Sequence, residues 1–136
     1  MEIRATYTVP FSQDQVYQAW ISSDTVIPPA TGMDILAEIG GHYRLLMQTD
    51  EYTLRNEGEF IDVQPNSFLH YTWEWNNDGE VSHIEVTFNT VPGGTQIEIY
   101  HYGFTQQESV DNHKTGWDSY VEGLIKHMNQ IYPPGT

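Results

Sequence analysis

Residues 97–128 read IEIYHYGFTQQESVDNHKTGWDSYVEGLIKHM, and two hydrophobic periods meet within this stretch. Before Gly103 apolar and polar residues alternate, which is the period of a β-strand with one buried face. After Gly103 the apolar residues recur at spacings of three and four, which predicts a helix with one apolar face. These residues are Trp117, Tyr120, Val121, Leu124, Ile125 and Met128. The stretch therefore predicts a strand, a glycine break and one long amphipathic helix.

The first thirty residues predict one strand and two short helices. Residues 2–9, EIRATYTV, alternate in the manner of a half-buried strand, and Pro10 ends them. Ser12 is placed to cap a helix, with Gln15 as its reciprocal partner in a capping box. A second short helix is predicted from about residue 23 to Pro28-Pro29, because proline cannot continue a helix.

The middle of the chain predicts a series of strands joined by tight turns. The alternating segments are 33–39, 42–48, 53–63, 68–75, 81–89 and 95–102. Pairs such as Gly40-Gly41 and Gly93-Gly94 lie between them and are typical of hairpin turns. Gly58 falls inside a strand, where a glycine indicates a β-bulge.

The order of elements predicts an α+β helix-grip (START-like) arrangement. An antiparallel sheet of six or seven strands with one apolar face must be covered, and the C-terminal helix is the available cover. We expect the sheet to curl around that helix while the two short helices close one end. Residues 1–132 are predicted to form this single domain, and residues 133–136, PPGT, a flexible tail.

The composition excludes several classes of function. The 136-residue chain has no cysteine, so disulfides and thiolate metal sites are excluded. It carries 19 acidic and 5 basic residues, a formal net charge of −14. Because phosphate binding depends on Lys and Arg, we predict no nucleic-acid partner. The acidity is assigned to solubility, with a docking surface for a basic partner as the alternative.

The hydropathy pattern predicts a cytoplasmic chain that does not interact with membranes. The opening residues MEIRATYTVPF lack the basic head and apolar run of a signal peptide. No apolar segment approaches the roughly 20 residues that a membrane-spanning helix requires.

The order of the motifs resembles that of the START-like or SRPBCC superfamily. Within this superfamily the chain is most similar to the branch named for the activator of heat-shock protein 90 ATPase homologue. The motifs are VPFSQDQVYQAW, IGGHYRLLM, GEFIDVQP, FLHYTWEW, IEVTF, GTQIEIYHYGF and the GW pair at the head of the last helix. They cover nearly the whole chain, and their order and spacing carry the resemblance. The resemblance implies a cavity between sheet and helix, and it brings no universal catalytic residue. The name of this branch also implies that its members modulate a chaperone.

Large side chains whose phase points to the space between sheet and helix are the candidate ligand-binding residues. They are Trp20, Tyr43, Met47, Trp73, Trp75, His101, Trp117, Tyr120 and Leu124. Large aromatic residues usually form core, whereas ligand pockets are concave and mostly apolar with few polar groups. Both interpretations remain open for the group. His101 is likewise either a core histidine bonded to a neighbour or a polar anchor for a ligand.

No catalytic, metal or cofactor site is predicted. The six histidines show no pair at short ligand spacing, and a protein zinc site needs about four convergent ligands. The glycine pairs lack the lysine and helix of a phosphate loop, and no serine lies in a nucleophile elbow. Glu57 and Glu59 are interpreted as solvated charges on a strand.

Two functional hypotheses follow, with a third behind them. The first is a domain that binds a hydrophobic or aromatic small molecule. The second is an interaction protein that modulates a chaperone or a stress-response partner. A cyclase- or hydrolase-type enzyme is third, because no acid–base group can be assigned.

Overall fold

The computed structural model describes residues 1–133, which form seven strands and two helices. The predicted tail continues into residues 134–136, which lie outside the described residues. In chain order the elements are β1 (Glu2–Val9), α1 (Gln13–Trp20), β2 (Gly32–Ile35), β3 (His42–Gln48), β4 (Thr53–Gln64), β5 (Phe68–Trp75), β6 (Ser82–Val91), β7 (Gly94–Tyr102) and α2 (Gln107–Ile131).

The seven strands form one antiparallel sheet in the order β1-β7-β6-β5-β4-β3-β2. Strands β2 to β7 follow one another as hairpins, and β1 completes the sheet by pairing with β7, from Glu2 opposite Tyr102 to Val9 opposite Thr95. The helix α2 packs against one face, which we call the inner face. The predicted helix-grip fold is confirmed.

The core lies between the inner face and the apolar stripe of α2. The buried residues of this stripe are Val110, Trp117, Val121, Leu124 and Met128. Gly103 has a φ of 95°, a backbone conformation that favours glycine, and it lets the chain leave β7 and return across the sheet. The capping box of α1 is present as predicted, with Ser12 Oγ accepting from the Gln15 amide.

The prediction of a second short helix is wrong. In residues 21–31 the structure has turns, including one in which the Thr25 amide donates to the Ser22 carbonyl. Thr25 also donates its hydroxyl proton to the Ala19 carbonyl at 2.6 Å, which folds the chain back onto the end of α1. The segment before Pro28 is short and contains Val26 and Ile27, whose branched side chains and proximity to proline disfavour a helix.

The bulge predicted at Gly58 lies three residues further along. The pairing of β4 with β5 shifts between Phe60 and Asp62, so Ile61 is the extra residue. Gly58 stays in register opposite Tyr43. A Cβ at Gly58 would lie 1.9 Å from the Thr72 carbonyl oxygen, so glycine is required there by close packing.

Candidate functional site

Five of the predicted site residues form a closely packed group beneath α2: Trp20, His101, Trp117, Tyr120 and Leu124. The indoles of Trp20 and Trp117 stack with ring centres 6.0 Å apart and planes at 16°. Tyr120 meets both rings edge-on, at 5.0 and 5.9 Å. Four of the five are buried, and Tyr120 is half-buried. These side chains fill the space between the sheet and this part of the helix.

His101 is fully buried, and both of its ring nitrogens are hydrogen-bonded. Its Nδ1 accepts from the indole N–H of Trp117 at 3.1 Å, and its Nε2 lies 2.8 Å from the Ser82 hydroxyl. Burial is the main cause that lowers the pKa of His101 to about 3, and the neighbouring His113 and His83 lower it further. The imidazole is therefore neutral, and its arrangement is that of a core histidine.

His113 of α2 binds both Trp73 and Trp75, and it was not among the predicted site residues. Both indole N–H groups donate to Nε2 of His113, at 3.0 and 3.2 Å. The opposite nitrogen, Nδ1, lies 2.7 Å from the Ser109 carbonyl and donates to it. His113 thus joins the end of β5 to the first turns of α2. Its position four residues before Trp117 on the same helical face is a signal that could have identified it.

Asn56 on β4 is the second residue that sequence reasoning missed. Its side chain is fully buried on the inner face, opposite Leu45 on β3 and Trp75 on β5. One end of the amide meets the Tyr43 hydroxyl at 3.0 Å, and the Nδ2 atom has no hydrogen-bond partner among residues 1–133. Buried amide groups are nearly always hydrogen-bonded, so this exception calls for an explanation. A polar residue at an inward position of the alternating β4 pattern was the available signal.

Two other tyrosine hydroxyls, that of Tyr71 on the inner face and that of Tyr120 on α2, have unused hydrogen-bonding capacity. Tyr71 accepts from the Trp20 indole at 3.3 Å, and its own proton meets no acceptor in residues 1–133. Within the same residues the Tyr120 ring contacts Trp20 and Trp117, and its hydroxyl makes no hydrogen bond. Burial raises the pKa of Tyr43, Tyr71 and Tyr120, so all three phenols are neutral.

The inner face near Asn56 is only partly covered by α2. Trp75, Met47 and the neighbouring Leu45 and Leu54 are half-buried, in contrast to the enclosed residues around Trp117. Tyr43 lies between the two regions and contacts Tyr71 edge-on at 5.5 Å. The predicted residues Tyr43, Met47, Trp73 and Trp75 therefore form a half-open apolar wall, which we call the β3–β5 wall.

The outer face of the sheet holds a histidine pair that sequence spacing did not reveal. Nε2 of His70 and Nδ1 of His83 are 3.0 Å apart, with the Tyr102 ring stacked on His83 at 5.4 Å. Two ligands are fewer than a protein metal site requires. In residues 1–133, no group of three or more His, Asp or Glu side chains is arranged to hold a metal ion. No helix within this range has the length and apolar character needed to cross a bilayer.

The sequence model of the family AHSA1, Activator of Hsp90 ATPase homolog 1-like protein, matches residues 10–129 of this chain. The chain belongs to the AHSA1-like family. The predicted resemblance is thereby confirmed. No curated protein sequence matches this AHSA1-like chain significantly.

Solved structures share the fold at low sequence identity. The AHSA1-like protein from Aeromonas hydrophila has a TM-score of 0.81 at 17% identity, over 100% of this chain and 97% of that one. Protein MLL2253 from Mesorhizobium loti has a TM-score of 0.80 at 20% identity, over 96% and 98% of the two chains. DynU16, a protein of the dynemicin biosynthetic locus, matches 94% of this AHSA1-like chain with 47% of its own length, at a TM-score of 0.80 and 18% identity. These likenesses concern the fold.

Proposed function

We propose that this AHSA1-like chain binds a neutral hydrophobic or aromatic small molecule against the β3–β5 wall. The observation that carries the proposal is the buried amide of Asn56, whose Nδ2 atom lacks a partner within the described part of the chain and lies beneath a half-open apolar surface. An unsatisfied buried polar group costs about 1–3 kcal/mol of stability. A bound molecule that completes the hydrogen bond removes this cost.

The charge of the ligand follows from the side chains around the wall. The inner-face positions of β3, β4 and β5 carry no Asp, Glu, Lys or Arg, so a charged ligand finds no counter-ion there. The phenols of Tyr43 and Tyr71 are neutral, because burial raises the pKa of each. Burying an unpaired charge is far more costly than burying a hydroxyl or carbonyl group. The ligand is therefore uncharged in its buried part.

The polar group that the ligand brings is a hydroxyl. Tyr43 has one proton, and its hydroxyl lies 2.6 Å from the Thr72 carbonyl and 3.0 Å from the Asn56 amide. The amide can meet the phenol through either end, since a half-turn exchanges its oxygen and nitrogen. In both orientations one amide atom remains without a partner. A hydroxyl both donates and accepts, so it complements either atom.

The proposed site keeps part of the predicted residue set and changes its polar anchor. Tyr43, Met47, Trp73 and Trp75 provide the apolar contacts, and Asn56 provides the hydrogen bond. His101 forms no hydrogen bond to the ligand, because both of its ring nitrogens already bind Ser82 and Trp117. The half-buried Met47 and Trp75 side chains move aside to admit the ligand, while the backbone hydrogen bonds of the sheet stay intact.

The chain's four tryptophans make the proposal testable by NMR, since each indole N–H gives its own resonance. We titrate the protein with 2-naphthol and with naphthalene, which differ by one hydroxyl. Saturable shifts are expected at the Trp73 and Trp75 indoles, with 2-naphthol binding several-fold more tightly. In Asn56→Leu the two probes should bind equally. Native mass spectrometry of protein purified from its source then searches for a co-purified neutral molecule.

The control variant is His101→Gln, which keeps a donor and an acceptor in the core and leaves Asn56 in place. It should retain the preference for 2-naphthol. If neither probe gives a saturable shift, or if the Asn56→Leu variant still prefers 2-naphthol, the proposed site is wrong.

One surface feature favours partner modulation as a second candidate function. Leu36, Ile39 and Ile61 are exposed by 56, 69 and 42%, and hydrogen bonds between Gly40, Gly41 and Phe60 hold the β2–β3 loop beside the bulge of β4. An exposed apolar group of this kind is typical of protein contact sites. Replacing Ile39 by Ser should weaken capture of a chaperone by this chain without changing binding of 2-naphthol.

A further inference from the structure

A groove of about 470 Å³ lies at the opposite end of α2, between its last turn and the segment that follows α1. Its walls include Ile21, Asp24 and Ile35 on one side and Ile131 with Tyr132 on the other. None of the predicted ligand-binding residues borders it. The groove is therefore separate from the β3–β5 wall, and the proposed function does not account for it.

Two helices end at this groove. Helix α1 ends at Trp20 with Ile21 as its C-cap, and α2 ends at Ile131 with Tyr132 as its C-cap, so both C-caps are wall residues. A helix C-terminus carries about half a negative charge, because its last carbonyl groups lack donors within the helix. Neither helix has a basic residue in its last turn to compensate. At the end of α1 the Ala19 carbonyl already accepts from the Thr25 hydroxyl and the Ser22 amide, so the negative potential at the groove comes from the remaining terminal carbonyls of α1 and from those of α2.

A full negative charge adds to the two helix ends. Asp24 borders the groove and is exposed, and no Lys or Arg is among the bordering residues. The nearest lysine along α2, Lys126, lies 3.7 Å from Glu122 and pairs with it. His127 contacts the Thr25 hydroxyl at 3.5 Å and is the remaining basic side chain of this helical segment. The net charge of −14 adds a general attraction for cations.

The groove also has an apolar part, which lies beside the polar residues Gln18, Ser22, Ser23 and Thr25. Ile21, Ile35, Ile131 and Tyr132 contribute hydrocarbon and ring surface beside the helix ends. A hydrated metal ion gains nothing from such a surface, since metal ions in proteins are held by several polar ligands. Residues 1–133 contain no cluster of three or more carboxylate and imidazole groups that could supply such ligands. A cation that carries its own apolar body uses both parts of the groove.

We propose that this groove binds a small primary amine with an alkyl or aryl body. The ammonium group lies between the two helix C-termini and Asp24, where it donates to carbonyl oxygens and to the carboxylate. The apolar body lies along Ile21, Ile35 and Ile131. The attraction arises from fixed groups of the fold, so the groove needs no rearrangement to bind the amine.

The test compares three six-carbon probes that differ in their head group: hexylamine, hexan-1-ol and hexanoate. The protein is labelled at the isoleucine methyl groups, and the shifts of Ile21, Ile35 and Ile131 report on the groove. Hexylamine should bind about tenfold more tightly than hexan-1-ol, as expected from several favourable charge interactions, and hexanoate should not bind.

Two lysine substitutions separate the groove from the general charge of the protein. Ser23→Lys places a competing cation at the groove, whereas Asn112→Lys makes the same change in net charge near the other end of α2. Both positions are exposed, so both variants should fold. Ser23→Lys should lower the affinity for hexylamine about tenfold, and Asn112→Lys should leave it nearly unchanged. Asp24→Asn should lower it several-fold.

Three results would overturn the proposal. The first is equal binding of hexan-1-ol and hexylamine, which would make the groove an apolar site only. The second is an equal effect of the two lysine substitutions, which would reduce the attraction to net charge. The third is the absence of saturable shifts at the three isoleucines.

Discussion

The indole N–H of Trp117 donates to Nδ1 of His101 across 3.1 Å, and this contact determines which nitrogen of the imidazole carries the proton. Because Nδ1 accepts, Nε2 bears the hydrogen and donates to the Ser82 hydroxyl at 2.8 Å. Ser82 in turn donates to the Trp73 carbonyl at 3.3 Å. A second proton on the imidazole would point at the indole hydrogen, so the fold excludes the charged form of His101.

This exclusion predicts that mild acid destabilises the domain through His101. Its pKa is about 3 in the folded chain and 6.5 for an unperturbed histidine, so below pH 6.5 the unfolded state binds the proton first. Stability is thus fully present above pH 6.5 and is lost as the pH falls, with a slope that approaches about 1.4 kcal/mol per pH unit. Urea denaturation between pH 7 and 5 measures this slope.

The variant His101→Gln should remove most of that slope, because glutamine keeps both hydrogen bonds and does not titrate. His42→Gln is the matched control, since the His42 side chain is 74% exposed. An unchanged slope in His101→Gln would show that other groups cause the acid sensitivity.

Trp117→Ala should lower the free energy of unfolding by about 3–5 kcal/mol. The indole is buried, stacks on Trp20 and bonds to His101, so its removal leaves a cavity and an unpaired acceptor. Chemical denaturation measures the loss. Trp75→Ala, which truncates a half-buried indole, should cost clearly less; an equal loss would contradict the division of the aromatic residues into an enclosed group and an open wall.

Two glycines of α2 should respond oppositely to alanine. A Cβ at Gly123 would lie 2.3 Å from Cγ2 of Ile27, whereas a Cβ at Gly116 would meet no atom within 4 Å. Gly116→Ala should stabilise the domain by up to about 1 kcal/mol through helix propensity. Gly123→Ala should destabilise it by about 1–3 kcal/mol through overpacking. Thermal denaturation of the two variants distinguishes these effects, and a stabilising Gly123→Ala would mean that Ile27 repacks freely.

Asn56→Leu should leave stability unchanged or raise it by about 1 kcal/mol, because it replaces an unsatisfied buried amide by an apolar group of similar shape. Tyr43 keeps its hydrogen bond to the Thr72 carbonyl in this variant. Denaturant unfolding provides the measurement. A loss of more than about 2 kcal/mol would indicate that the amide has a structural role in the free protein.

The strands and the long helix could be predicted because their apolar residues keep one period over many positions. The segment 21–31 could not, since its conformation depends on a tertiary hydrogen bond from Thr25 to Ala19. The bulge at Ile61 likewise reflects how β4 fits β5, and Gly58 serves close packing instead.

The inward phase of the candidate site residues was predictable, and their grouping was not. Phase alone places His101 and Trp75 on the same face of the sheet. Only the strand register brings Asn56 opposite Trp75, and only the position of α2 brings His113 to both indoles. Sequence alone could not separate the enclosed residues from the open wall, because that depends on how far the helix covers the sheet.

The pairing of Glu2 with Tyr102 has a consequence for the order of folding. Hairpins from β2 to β7 bring together neighbouring parts of the chain and close short loops, which is fast. Strand β1 pairs with β7 alone, so during synthesis it waits until residue 102 has emerged from the ribosome. Such long-range pairing raises the contact order and slows folding. We therefore expect β1 to join the sheet in the slow step, with the rest of the hairpins already formed.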